Sequence, residues 1–334
     1  GKEYHLWNKP VSKKEFEAEW KRFVELSSAE RKIIMEKFRG FAEDFPRRQF
    51  IGKQTEDCMG DYLMEAKGAY GCFECQQVED CRYCNNVYKA KDCMDVTYFG
   101  KNIELCYDTQ APGLEAFNIK FCNLVHSGVS DLIYCDFCFS IQDCALCVGL
   151  KQAKYCIFNK RYTEEEYKKL LPRIIEKLET EGQWGEFFPT KLCTYGYNET
   201  VGNDYFPLTR EQALERGYSW KEDEDGAAYT GSIYQVPDSI DLVTDEILNQ
   251  VLTCEVIGKN YRITKLELRF YQKMGIAIPR ICPDERYRVR FKLRNPRQFY
   301  RRSCGKCDQG IMTTYDEIRG KSVYCEDCYA EEVS

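Results

Sequence analysis

The stretch CGKCDQGIMTTYDEIRGKSVYCEDC, from Cys304 to Cys328, sets four cysteines in two C-x2-C pairs with 17 residues between the pairs. Two close thiolate pairs joined by a hairpin-length spacer suit a tetrahedral metal site, and an all-sulfur ligand set favours zinc. With Cys304, Cys307, Cys325 and Cys328 all bound, no coordination position is left for a reactive water. The expectation is a single structural Zn2+ rather than a catalytic one.

A second cysteine pattern is denser. GCFECQQVEDCRYCNNVYKAKDC, Gly71 to Cys93, holds five cysteines, and Cys72, Cys75, Cys81, Cys84 and Cys93 recur 63 positions later as Cys135, Cys138, Cys144, Cys147 and Cys156. Within the stretch a small apolar residue comes every third position: Cys72, Cys75, Val78, Cys81, Cys84, Val87, Ala90, Cys93, Val96. That is neither the 3.6 period of a helix nor the 2.0 period of a strand. The clearest recurrence, at 12 or 13 residues, runs through Cys81, Cys93 and Cys106. Such a period suits a narrow β-solenoid, whose interior admits only small side chains. Free cysteine acts there as a small hydrophobe. The rival reading makes the C-x2-C pairs metal ligands. Their five-residue gap leaves no room for a zinc hairpin and matches no ferredoxin spacing. Catalytic thiols are the least favoured use.

Upstream of the C-terminal cysteines lies a decayed copy of the same unit. CEVIGKNYRIT resembles CGKCDQGIMTT and CPDERY resembles CEDCYA, with Ile257 and Glu285 standing where second cysteines would be. Isoleucine cannot bind zinc, so packing is the expected role, with Cys254, Cys282 and Glu285 as a weak alternative metal set. Between the two units runs RYRVRFKLRNPRQFYRR. It carries Arg286, Arg288, Arg290, Lys292, Arg294, Arg297, Arg301 and Arg302 and no acidic residue. As a strand it alternates basic and apolar positions; as a helix it aligns Arg286, Arg290, Arg294 and Arg297. Either way a basic ridge with interleaved aromatics is the electrostatic footprint of a phosphate-binding surface. The alternative is a surface that pairs with the acidic body or with a partner protein.

The remaining chemistry is sparse. There are two histidines, His5 and His126, and no nucleophile elbow, Walker loop or H-E-x-x-H motif, which argues against the common enzyme classes. No apolar run reaches the length of a membrane helix. The N-terminal residues lack an apolar signal core, so the expected location is the cytoplasm, where thiols stay reduced. From Val251 onward there are 17 Lys+Arg and 11 Asp+Glu, against 31 and 43 in the rest of the chain. A basic end on an acidic body points to an anionic partner for that end.

These residues need elements to position them. Residues 1–50 read as a helical hairpin that packs on the next domain. Capping boxes start its helices at Ser12/Glu15 and Ser27/Glu30, and Phe16, Trp20, Phe23 and Val24 form one stripe. Residues 51–160 form the cysteine-rich repeat. Residues 161–250 are a connector: a helix capped at Thr163 with Pro172 inside it, an aromatic loop laid across another domain, a short helix from Thr209, and the acidic run KEDEDG as a hinge. Residues 251–334 hold the degenerate module, a helix from Thr264 to Gly275, the ridge and the four-cysteine module. The fold class is multidomain α+β: a narrow β-solenoid with an N-terminal helical hairpin and C-terminal tandem treble-clef or zinc-ribbon modules, the first degenerate.

Three segments carry a resemblance: GEFFPTKLCTYGYNETVGNDYFPLT (Gly185 to Thr209), GKNYRITKLELRFYQKMGIAIPRICPDERYR (Gly258 to Arg288), and LRNPRQFYRRSCGKC with VYCEDCY. Through them the chain resembles a family of uncharacterised cysteine-rich, zinc-ribbon-containing proteins from uncultured bacteria. The likeness spans most of the chain and brings no activity with it. Members carry complete cysteine pairs where this chain has Ile257 and Glu285, which argues against a first zinc here. The final unit also resembles treble-clef and zinc-ribbon modules in general, which commonly bind nucleic acid or protein. The resulting expectation is a non-enzymatic zinc protein whose tail binds RNA, DNA or a ribonucleoprotein through residues 286–302. A protein-interaction scaffold built on the solenoid is the alternative, and a metal-cluster enzyme the third.

Overall fold

In the computed structural model, residues 3–222, 234–318 and 322–333 are described. The helices are α1 (Lys13–Glu25), α2 (Ser28–Glu43), α3 (Glu164–Thr180), α4 (Val201–Tyr205), α5 (Arg210–Glu215), α6 (Lys265–Met274), α7 (Pro283–Phe291) and α8 (Glu326–Val333). The chain divides into two compact units, each drawing on segments far apart in sequence. One comprises Gly1–Arg47, Glu222–Asn295 and Glu317–Ser322; the other comprises Arg48–Lys221, Pro296–Asp316 and Val323–Ser334. The side chain of Val24 and residues 223–226 of the acidic run lie outside the described residues.

In the first unit, the capping boxes at Ser12 and Ser27 form as the sequence requires, with each serine hydroxyl accepting from the glutamate amide three residues on. The hairpin groups with residues 222–295 rather than with the solenoid that follows it in sequence. Its aromatic stripe is also less covered than the pattern implied. Trp20 is 59% exposed and stacks on Phe23 at 6.0 Å. The first residues, unassigned by pattern, make a short antiparallel β-hairpin, Tyr4–Leu6 with Lys9–Val11, that sets Trp7 edge-on to Phe41 at 5.2 Å. A separate small core collects Ile240, Val243, Ile247, Leu252, Ile263, Leu268, Tyr271 and Ile278. It supports α6, which starts at the Thr264/Glu267 box and ends at Gly275 with φ of 63°.

The second unit is built on a β-solenoid of about nine turns. Its parallel strands stack in chain order from Gly52–Glu56 to Lys154–Ile157. Coil length is read from the register: 11 residues at Thr55↔Ala66, 12 at Gln76↔Tyr88, 13 at Ala116↔Val129 and 12 again at Cys144↔Cys156. The 63-residue repeat is therefore five coils, through Phe73, Asn85, Thr97, Gln110, Asn123 and Asp136.

The three-residue period has a backbone cause that the residue pattern alone did not disclose. In each triplet the first residue points inward, the second is extended, and the third turns the corner in the left-handed region. Glu74, Gln77, Asp80, Tyr83, Asn86 and Lys89 all have φ between 51° and 57°. Such corners are unfavourable for side-chain-bearing residues by roughly 1 kcal/mol or more each. They are held because the amides find partners on both neighbouring coils. Asn86 N–H donates back to Phe73 O at 3.0 Å, and Phe73 N–H donates forward to Cys84 O at 2.9 Å.

The inward column beside those bridges runs Cys72, Cys84, Val96, Thr109, Cys122, Cys135 and Cys147, all buried. None of the twenty cysteines is paired in a disulfide. Each core thiol also reaches backbone carbonyls: Cys75 Sγ lies 3.4 Å from Phe73 O and 3.3 Å from Cys84 O. Thr109 occupies the same column and its hydroxyl donates to Tyr107 O at 2.9 Å. The position thus selects a small side chain with one short-range donor, which explains cysteine where alanine would also fit. Hydrogen bonding to Cys72 and Cys81, then burial, raises the Cys84 thiol far above the ordinary range. The acceptors Cys72 and Cys81 shift the opposite way.

These thiols should resist alkylation in the native protein. Cys81→Ala should cost about 1 kcal/mol, the scale of a modest core truncation. It would be checked by the shift of the denaturation midpoint. Rapid native-state labelling of Cys81 would contradict a packing role.

Outside the core, one column alternates in charge from coil to coil: Glu56, Lys67, Glu79, Lys91, Glu104. Lys67 pairs with Glu56 at 3.4 Å and Lys91 with Glu79 at 3.5 Å. Near the far end, Tyr167 of α3 is buried, 5.8 Å from the Tyr155 ring. The helix starts at the Thr163/Glu166 box and runs on through Pro172. The aromatic loop lies on the solenoid as its composition suggested. Trp184 meets Phe121 edge-on, Gly185 N–H donates to Tyr134 Oη, and that hydroxyl donates to Gln183 O, both at 3.0 Å.

Candidate metal centre

The four cysteines of the C-terminal module fall in the second unit, and the module starts with an antiparallel hairpin, Tyr300–Ser303 with Gly310–Thr313. Between the strands the chain makes a tight knuckle. Cys304 N–H donates to Gln309 O at 2.7 Å, Asp308 N–H donates to Cys304 O at 3.0 Å, and Asp308 takes a left-handed φ of 61°. The second cysteine pair arrives on the first turn of α8, where Tyr329 N–H donates to Cys325 O at 2.9 Å. Ile311, Val323, Tyr315 and Tyr324 pack around the cysteines.

The four Sγ atoms of Cys304, Cys307, Cys325 and Cys328 lie within 4.8 Å of one another. Cys307 Sγ and Cys325 Sγ are 3.8 Å apart. A tetrahedron with metal–sulfur bonds of ~2.3 Å has edges of about 3.8 Å, so the set can hold a metal ion. The electrostatics also favour thiolate at the innermost ligand. Burial pushes the Cys304 thiol up, but the amides of Cys325, Cys307 and Lys306 outweigh it and bring the group down to about 6. Two of those donors lie at 3.2 Å (Cys325) and 3.5 Å (Lys306). Among the described residues this is the one group of three or more His, Cys, Asp or Glu ligands so assembled.

The upstream copy, in the first unit, keeps the same backbone. Cys254 N–H donates to Lys259 O and Gly258 N–H to Cys254 O, both at 2.9 Å. Gly258, with φ of 69°, stands in the place of Asp308. Cys282 caps α7 as Cys325 precedes α8, and Arg286 N–H donates to its carbonyl at 3.0 Å. What differs is the ligand shell. Ile257 projects into solvent, and Glu285, though buried, turns its carboxylate to Arg288 at 3.3 Å. Cys254, Cys282 and Glu285 are not drawn together as a ligand set.

The basic stretch does not form one continuous element. Residues 286–291 are helical in α7, and the helix stops ahead of Asn295-Pro296, since a proline disfavours helical backbone before it. The strand alternation is not adopted, and Arg294 and Arg297 fall beyond the helix on which Arg286 and Arg290 sit. The stretch is also divided between the units: Arg286, Arg288, Arg290, Lys292 and Arg294 lie in the first, and Arg297, Arg301 and Arg302 in the second.

Several of these side chains are engaged within the protein. Arg286 donates to Tyr271 Oη at 2.8 Å, Arg288 pairs with Glu285, and Arg302 donates to Asp316 O at 2.9 Å. Arg297 is the most committed. Its side chain is 10% exposed, it pairs with Glu74 at 3.1 Å, and its guanidinium lies 3.6 Å above the Tyr205 ring. Arg290, Lys292 and Arg301 remain exposed.

Sequence reasoning missed Glu74 and Asp61, both on the solenoid. Asp61 is buried, accepts from Ile51 N–H at 2.8 Å and Tyr62 N–H at 3.0 Å, and takes the Thr314 hydroxyl at 2.5 Å. These contacts, with Phe73 against Phe299 at 5.2 Å, fasten the metal module to the early coils of its own unit. No local pattern marks them, because the partners lie 223 and 253 residues apart.

No protein-family model matches the chain, and no curated protein shows significant similarity to it. Among the described residues no helix is long and apolar enough to cross a membrane.

Proposed function

We propose that the protein is a non-enzymatic zinc-binding protein holding one zinc ion, and that its basic C-terminal region binds nucleic acid or a ribonucleoprotein. The observation that carries the zinc reading is the closed four-sulfur set, which leaves the metal no open position for substrate or water. Its all-sulfur donor set and the hairpin-plus-helix frame support zinc over a harder ion. The free thiols of the solenoid fit a reducing compartment such as the cytoplasm.

The nucleic-acid reading rests on Arg290, Lys292 and Arg301, exposed within a 17-residue stretch that has no acidic residue. Its test is a salt titration with labelled RNA and DNA. Affinity should fall with a log–log slope close to one per phosphate contact. Arg290, Lys292 and Arg301 changed together to glutamine should weaken binding across sequences and flatten that slope. Arg297→Gln should act through stability instead. Absence of any binding at ~50 mM salt, where phosphate contacts are least screened, sinks this reading. A protein-interaction scaffold is the second reading, supported by solenoid aromatics left in solvent, among them Tyr98, Phe99 and Phe137.

A further inference from the structure

Helix α6 has one face committed to a core and another that carries two parallel stripes. Leu268 and Tyr271 are buried in the small core of the first unit. On the opposite side Leu266, Phe270 and Met274 follow each other at four-residue spacing and are 78%, 57% and 54% exposed. Beside them, also at four-residue spacing, run Lys265, Arg269 and Lys273, exposed and with no ion pair or side-chain hydrogen bond among the described residues. Side chains four apart stand one above the other on a helix. The result is an apolar strip and a cationic strip, each extending about 12 Å along the axis.

We propose that this face docks an acidic amphipathic helix of a partner protein. Each strip selects part of the ligand. The apolar strip asks for side chains that leave water, which a phosphate backbone does not offer. The cationic strip asks for carboxylates at matching spacing, and the charges of Lys265, Arg269 and Lys273, which have no ion pair among the described residues, supply the complementarity that sets orientation and partner choice. A second helix laid alongside, with apolar residues and Asp or Glu each repeating every three or four positions, satisfies both strips at once. The strip residues are separate from the four-cysteine set; the basic stretch touches α6 through Arg286, on Tyr271 and Glu267.

The test selects from a displayed library of random 16-residue peptides on the full-length protein, with depletion on the Leu266→Ser/Phe270→Ser variant. Both residues are exposed, so the variant should keep the wild-type far-ultraviolet circular dichroism. The surviving peptides should combine apolar residues with Asp or Glu at helical spacing. A labelled survivor should lose about tenfold or more in affinity for the double-serine variant, as truncated interface anchors do. Arg269→Glu/Lys273→Glu should weaken it about as much, and lysines in place of the peptide's carboxylates should restore binding to that variant. The proposal fails if no peptide separates wild type from the serine variant, if survivors lack acidic residues, or if charge reversal changes nothing. It also fails if the serine variant instead loses binding to phosphatidylserine vesicles or to single-stranded RNA, which would assign the face to lipid or to nucleic acid.

Discussion

Cys304→Ser should abolish the proposed zinc site and unfold the Tyr300–Thr313 hairpin and α8 while leaving the thiol-lined solenoid in place. Cys304 is the innermost ligand, fully buried, and two amides converge on its sulfur. Structural zinc in small modules binds with an apparent free energy of about 10–16 kcal/mol near neutral pH, and where the site forms only on folding that energy is folding energy. The apolar support here is small: Ile311, Val323, Tyr315 and Tyr324 around the sulfurs. It cannot replace a term of that size. Elemental analysis should show about one zinc per wild-type chain and none in the variant. Hydrogen exchange should accelerate across the hairpin and α8 but not across the central coils. Cys254→Ser, in the copy that lacks a ligand shell, should change the metal content by nothing. Retention of one equivalent of zinc by Cys304→Ser would remove the four-cysteine site from consideration, and three or more tightly held metals would reopen the solenoid thiols as ligands.

Arg297→Ala should be the most damaging change among the eight basic residues from 286 to 302, at about 3–5 kcal/mol, the cost of removing one partner from a buried ion pair. Glu74, 14% exposed, would be left without its guanidinium, and the Tyr205 ring would lose the cation above it. Arg301→Ala, by contrast, falls on exposed chain and should stay within about 0.5 kcal/mol. Removing both charges with apolar replacements, Arg297→Met together with Glu74→Leu, should recover much of the loss, because the penalty comes chiefly from an uncompensated buried charge. Hydrogen exchange of the early coils, compared across these variants, measures the effect locally. Equal stability of Arg297→Ala and Arg301→Ala would mean that the pair contributes nothing.

Arg297 also marks the boundary of what sequence can disclose. Read along the chain it is one of eight similar residues, and composition gave every reason to leave it in solvent. Its partner is on the solenoid, and only the folded chain brings the two together. The same holds for Asp61 and Thr314. Features legible beforehand were those whose cause is local. Ser12 with Glu15 and Thr264 with Glu267 satisfy amides three residues away, so their helices start where the letters say. The four-cysteine pattern was readable because metal geometry fixes both the spacing within each pair and the need for a hairpin between them. The solenoid was readable from its interior, since a narrow coil tolerates only small residues at every third place. Its corners were not. Tyr83 and Lys89 carry no sign that they take left-handed backbone, because the amide partners that hold them there sit one coil away. The α7 segment was open to strand and helix on pattern alone, and Pro296 was the local signal that limits the helix.

The alternating column Glu56, Lys67, Glu79, Lys91, Glu104 has a bearing on how such a chain can change length. A solenoid backbone is nearly the same from one coil to the next, so inserting or deleting a coil disturbs few main-chain hydrogen bonds. The column is sensitive to parity. One extra coil between Lys67 and Glu79 would set like charges side by side, whereas two would restore the alternation. Over this stretch the molecule can grow or shrink by coil pairs more easily than by single coils, and a strand that paired one coil out of place during folding would meet repulsion where the native pairing meets attraction.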